Sequence, residues 1–170
     1  MCIRDRCNSI SGLEPIIYYA PQSHNQAAHE GITSALENII ANLSSRSRIP
    51  LTLEVTPRNL ESPLRLSSSQ FRKILKSLLL IADITPIGSI SGQNQSSLLI
   101  DPNVCIELGY GIQSKDNGQI LLLNMENKDL DGTMPFDMAG YRQLTFNTPD
   151  KIAKSLPKLV DTLLQRYNLF

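Results

Sequence analysis

The chain has no tryptophan, only nine Phe and Tyr residues, three cysteines and no excess of either charge. Cys2, Cys7 and Cys105 stand at no metal-ligand spacing, which excludes a cysteine zinc site and a disulfide framework. Sixteen Lys+Arg balance sixteen Asp+Glu across 170 residues. A nucleic-acid arm needs a clustered excess of cations, so nucleic acid is not an expected partner. No apolar run approaches the roughly 18–20 residues that span a bilayer, and no signal-peptide core follows the first residues. No membrane partner is expected, and the cytoplasm is the expected location. Gly-x-Gly-x-x-Gly, the Walker loop and the nucleophile elbow are all missing. What is there, 41% hydrophobic and 19% charged, is the composition of one globular domain with a real core.

Met1 to Arg6 read MCIRDR, a string that resembles a translated sequencing-adapter remnant, and it is set aside from fold reasoning. Residues 1–13 are read as a tail and 14–170 as the domain. On that reading the natural start lies upstream, with room for an upstream sensor domain. Leaving out Arg4, Asp5 and Arg6 turns sixteen against sixteen into 14 basic against 15 acidic residues. An anionic ligand would then be held by local donors, not by a global field.

Residues 16–20 form a short apolar run rich in β-branched and aromatic side chains, as a buried parallel strand requires. Residues 27–43 place Ile32, Ala35, Leu36, Ile39, Ile40 and Leu43 at helical spacing, with residues 44–48 expected to break the helix. Residues 51–55 alternate as an edge strand. Ser67-x-x-Gln70 has capping-box spacing, and Phe71, Ile74, Leu75 and Leu78 continue a helical stripe. Residues 79–84 read as the central strand, and residues 86–98 as a long loop that could close over a ligand. Asp101-Pro102 is a strong helix start. Residues 119–124 and 143–146 read as further strands, and residues 150–167 as a closing helix that Pro157 kinks or begins. Such alternation implies a parallel sheet with helices on both faces.

In an open parallel sheet, ligands sit outside the carboxyl ends of the strands, near the point where strand order reverses. Residues 20–24 and 83–85 follow strands and therefore merit attention. Asn103 and Glu107 lie four apart and share a helix face. Spacing alone leaves Glu107 free to be a solvated side chain and Asp83 a simple loop cap. His24 and His29 are five apart, off the helical metal-pair spacing, and read as surface residues; no metal site is expected. Cys105 reads as a small core hydrophobe.

The segments IADIT (residues 81–85), DPNVCIELGYG (101–111), ILLLN (120–124) and PFD (135–137) resemble the TIR-like (Toll/interleukin-1 receptor-like) nucleotide-binding domains of prokaryotic defence proteins. Residues 17–20 fit that group's first strand, and the likeness covers about residues 14–168. It implies a flavodoxin-like, TIR-type α/β fold with a five-stranded parallel sheet. It also implies cleavage of the nicotinamide–ribose bond of NAD, taken as substrate with no separate cofactor, by an effector of bacterial anti-phage defence. Glu107 would be the catalytic carboxylate. Tyr19, Ala20, Pro21, Gln22, Asp83, Thr85 and Asn103 would bind the substrate, and the domain would self-associate. Gly111 replaces the group's usual Ala. Residues 138–142 carry one Arg where relatives carry paired basic residues.

One carboxylate suffices for that chemistry. Nicotinamide in NAD is already cationic and leaves neutral, so its departure needs no general acid, unlike the alkoxide of most glycosides. A preorganised anion stabilises the positive charge that develops on the ribose. Two other readings stay open: a nucleoside deoxyribosyltransferase-like enzyme with Glu107 as nucleophile, and a non-catalytic nucleotide-binding or self-associating module.

Overall fold

The computed structural model describes residues 12–58 and 66–170. Their secondary structure runs β1 (Glu14–Ala20), α1 (Gln26–Arg46), β2 (Thr52–Val55), α2 (Ser68–Lys76), β3 (Ser77–Asp83), β4 (Gly88–Ser91), β5 (Ser96–Leu99), α3 (Pro102–Ser114), β6 (Ile120–Met125), β7 (Arg142–Phe146) and α4 (Pro149–Leu164). Five strands form one sheet in the order β2-β1-β3-β6-β7, every neighbouring pair parallel. This is the expected flavodoxin-like α/β architecture.

Period-two alternation along the strands divides the core. Ile17, Tyr19, Leu79, Ile81, Leu121 and Leu123 face α1 and α4, joining Ile32, Leu36, Leu156 and Val160. Tyr18, Ala20, Leu80, Ala82, Ile120 and Leu122 face α2 and α3, joining Ile74, Val104 and Leu108. Being covered on both sides is why β3 is buried at all seven positions and could be read as an unbroken apolar run.

Several elements differ from expectation. α1 continues through Ser44 and Ser45 to Arg46. The serine hydroxyls turn to the carbonyls of Leu51 and Asn42, at 3.2 and 2.7 Å, and do not break the helix. The Ser67–Gln70 capping box is present, but α2 stops at Lys76. Leu78 therefore belongs to β3, and Leu75 is exposed outside any apolar stripe. Residues 86–98 are not a loop. They contain the antiparallel ribbon β4–β5. α4 starts at Pro149 behind its Thr148 cap, so Pro157 does not begin it. Ala153 and Pro157 both lie on the exposed face, so the carbonyl that a proline ring leaves unpaired is open to solvent.

Two glycines permit close approach. A Cβ on Gly111 would overlap a terminal methyl of Leu80, which would have to turn aside. Gly132 has φ +152°, and a Cβ there would stand 2.9 Å from the Ser96 carbonyl oxygen. That contact lets residues 131–133 lie against the ribbon.

Candidate active site

β1 and β3 are neighbours, and the chain runs outward from them in both directions. Their carboxyl ends thus form the crevice where an open α/β sheet offers a site. Asp101 caps α3 there. Its Oδ1 accepts from the Asn103 amide at 2.9 Å, and its Oδ2 accepts from the Ser23 amide and hydroxyl at 3.1 and 2.8 Å. Burial alone would raise the Asp101 carboxyl; these bonds outweigh it and hold the group below its ordinary value. The clasp fixes the β1–α1 turn against the start of α3.

One turn into α3, Glu107 is entirely shielded from solvent. Val104, Leu108 and Gly111 pack on the sheet, and Glu107 goes inward with them. Its Oε2 accepts from Arg58 Nη2 at 2.6 Å, and its Oε1 accepts from Arg58 Nη1 at 3.4 Å. Thr56 Oγ1 donates to the same Oε1 at 2.6 Å. The single Thr56 hydroxyl proton is thereby used, so Tyr18, 2.5 Å away, donates its own to Thr56. Burial holds the Tyr18 phenol protonated, pushing it up to about 12. A lone carboxylate this deep would cost several kcal/mol, about what a well-bonded guanidinium offsets. Arg58 is itself pinned, donating Nε to the Pro21 carbonyl at 2.7 Å.

On the opposite face of the sheet, Asp83 ends β3 and is fully buried. Its Oδ1 accepts from the Thr85 amide at 3.0 Å, and its Oδ2 is buried without a partner among the described residues. Burial, opposed by the Thr85 bonds, pushes this carboxyl up to about 6. The hydroxyl of Tyr19 is also buried without a partner among the described residues, and burial together with the Asp83 charge raises it well above its ordinary value. Tyr19 lies parallel to the His29 ring at 6.3 Å between centroids. His24 is exposed as expected, whereas His29 is half-buried with Nδ1 covered. A cavity of about 200 Å3, lined by Gln22, Ser23, Gln26, His29 and Arg58, leads in from the surface.

The expected substrate-binding residues divide into two groups. Tyr19 and Asp83 present unpaired polar atoms, and half-buried Asn103 sits one turn before Glu107. The others build the frame. Ala20 is in the core beside α3, and Pro21 lends its carbonyl to Arg58. Gln22 Oε1 accepts from the amides of His24 and Asn25, both at 2.6 Å. Thr85 Oγ1 accepts from the Met125 amide at 3.0 Å. Tyr18, Thr56 and Arg58 were not expected. The strand-end rule, applied to β2 as it was to β1 and β3, points to Thr56 and Arg58.

Cys105 is half-buried at the edge of the core. Among the described residues no cluster of His, Cys, Asp or Glu could hold a metal ion, and no helix is long and apolar enough to cross a membrane. No protein-family model matches this chain, and no curated protein matches it.

Proposed function

We propose that the chain is a TIR-like N-glycosyl hydrolase that cleaves the nicotinamide–ribose bond of NAD, with Glu107 as the catalytic carboxylate. The observation that carries this reading is the Arg58–Glu107 pair. A planar, delocalised cation lies in van der Waals and hydrogen-bonding reach of a buried carboxylate at the switch point of the sheet. The same carboxylate suits a second planar cation, the ribosyl pyridinium of NAD and the oxocarbenium ion that follows it.

Arg58 withdraws as the substrate enters along the Gln22–His29 cavity. The C1′–N bond then breaks, its electron pair goes to the ring nitrogen, and neutral nicotinamide leaves. Glu107 stabilises the ribosyl cation; water adds to C1′ and yields its proton to solvent. Tyr18 and Thr56 position the carboxylate without exchanging charge with it. Asp83 Oδ2 and the Tyr19 hydroxyl, one an acceptor and the other a donor, suit the ribose diol.

α3 carries a single charge, the buried Glu107, so its outward face of Pro102, Ile106, Gly109 and Ile112 is uncharged. That uncharged face, with Ile106 and Ile112 exposed, supports self-association, in keeping with a defence effector. The test is NAD consumption at high protein concentration, with Glu107→Gln as control. Turnover that survives in Glu107→Gln refutes the assignment. Release of base from deoxynucleosides, with NAD untouched, gives the deoxyribosyltransferase-like reading instead.

A further inference from the structure

Past Thr85 the chain turns at Pro86 into the β4–β5 ribbon. A groove of about 290 Å3 opens there between the ribbon and the segment leaving β6. Its walls are mostly apolar, formed by Pro86, Leu98, Met125 and Leu130, with Glu126, Asn127 and Lys128 exposed at the rim. The wall on the ribbon side is fixed in place. The Leu98 amide donates to the Thr133 carbonyl at 2.8 Å, and the Thr133 amide donates to the Ser96 carbonyl at 3.0 Å.

Asn124 also lines this groove, and its side-chain oxygen is buried without a hydrogen-bond partner among the described residues. Leaving such an acceptor unpaired is costly; it is covered in this conformation, and a turn of the Asn124 side chain toward the groove would bring it a donor. A primary amide presents one acceptor and one donor side by side. The edge that matches is an exocyclic amine next to a ring nitrogen, the pattern by which Asn pairs with adenine.

The volume sits at the lower limit of small-ligand pockets, roughly 300 Å3, and so suits one ring system with the rest of the ligand outside. The exit is suitably placed. Met125 bonds Thr85, and Thr85 bonds Asp83, so a sugar attached to a base in the groove lies toward Asp83.

We propose that this groove is an adenine-binding subsite, with Asn124 pairing to the base edge and Leu98 and Leu130 packing on its faces. The inference rests on the nucleotide reading of the strand ends but does not depend on bond cleavage. AMP is therefore the probe, since it has no nicotinamide–ribose bond.

In an amide NMR titration, AMP is expected to perturb Leu98, Asn124 and Leu130. The 5′-monophosphate of purine riboside, which lacks the 6-amino group, should bind about fivefold more weakly, the worth of one net hydrogen bond. Asn124→Leu should abolish that difference. Leu98→Ser, on the ribbon and outside the main sheet, should weaken both ligands equally. Equal affinities in the unmodified chain, no AMP binding, or perturbations that miss Leu98 and Leu130 each overturn the subsite. If AMP binds while NAD survives, the hydrolase reading fails alone; if NAD is consumed while AMP does not bind, the subsite fails alone.

Discussion

The guanidinium of Arg58 lies 2.6 Å from the Glu107 carboxylate, with their side chains 9% and 0% exposed. Forty-nine residues separate the two in the chain, and the loop after β2 carries the cation to α3. Buried pairs of this kind add little net stability when intact, yet losing one partner costs about 3–5 kcal/mol.

That asymmetry decides which Glu107 variant is informative. Glu107→Gln keeps the shape and a hydrogen-bonding oxygen for Arg58 and Thr56, and should lower NAD hydrolysis by at least about 100-fold through loss of transition-state charge stabilisation. Glu107→Ala should lose activity and also about 3–5 kcal/mol of unfolding free energy, because Arg58 is left uncompensated. Urea unfolding of both, alongside nicotinamide release, checks the pair of outcomes. A Glu107→Ala protein as stable as the parent would contradict the ion-pair geometry.

Arg58→Met removes the charge and retains much of the stem. If Arg58 holds the place of the substrate cation, KM for NAD should fall about tenfold, since a hydrogen bond to a charged group is worth about 1.5–3 kcal/mol. Affinity for NADH, whose nicotinamide ring is neutral, should change little. Steady-state kinetics and NADH inhibition measured side by side give the answer; a rise in KM would make Arg58 a substrate-binding residue instead.

Asp83 provides the pH dependence. Its carboxyl sits at about 6 in the folded chain, raised by burial from an ordinary value near 3.8. Between those values the folded state binds more protons than the unfolded one, so the Asp83 contribution to stability is lost as pH rises through about 6. Asp83→Asn should remove that decline, seen as a flatter melting temperature between pH 4 and pH 6.5. If ionised Asp83 accepts the ribose hydroxyls, kcat/KM should fall below about pH 6, and Asp83→Asn should lose that acid limb.

Lys115 reports on the fold away from the site. Its ammonium donates to the carbonyls of Ser77 at 2.6 Å and Leu75 at 3.2 Å, at the junction of α2 and β3. Burial lowers it to about 8, against an ordinary 10.5. The unfolded chain therefore binds more protons between those values, and stability should rise with pH across that window. Lys115→Met should show no such rise; equal slopes for the two proteins from pH 8 to pH 10 would refute it.

The strands were legible because parallel strands covered on both faces read as continuous apolar runs, and residues 79–82 are the clearest case. The α3 start was legible because Asp101 and Pro102 act locally, through a side-chain bond to Asn103 and a fixed φ. The β4–β5 ribbon was hidden. Its strands read GSIS and SSLL, and much of what holds them comes from Thr133, more than thirty residues on. Glu107 could be singled out by its motif, but its burial could not. Nothing near it in sequence foretells a guanidinium arriving from the far side of β1.

The tip of the ribbon has a practical consequence. Residues 92–95 close the hairpin with the Gly92 amide on the Gln95 carbonyl and are all exposed, while Thr133 anchors the strand behind them. Exposed tips of this kind tolerate insertion and chemical attachment. A fluorophore coupled through Asn94→Cys would sit outside the groove and leave the wall that contains Leu98 undisturbed, giving a handle on the protein that does not block the site.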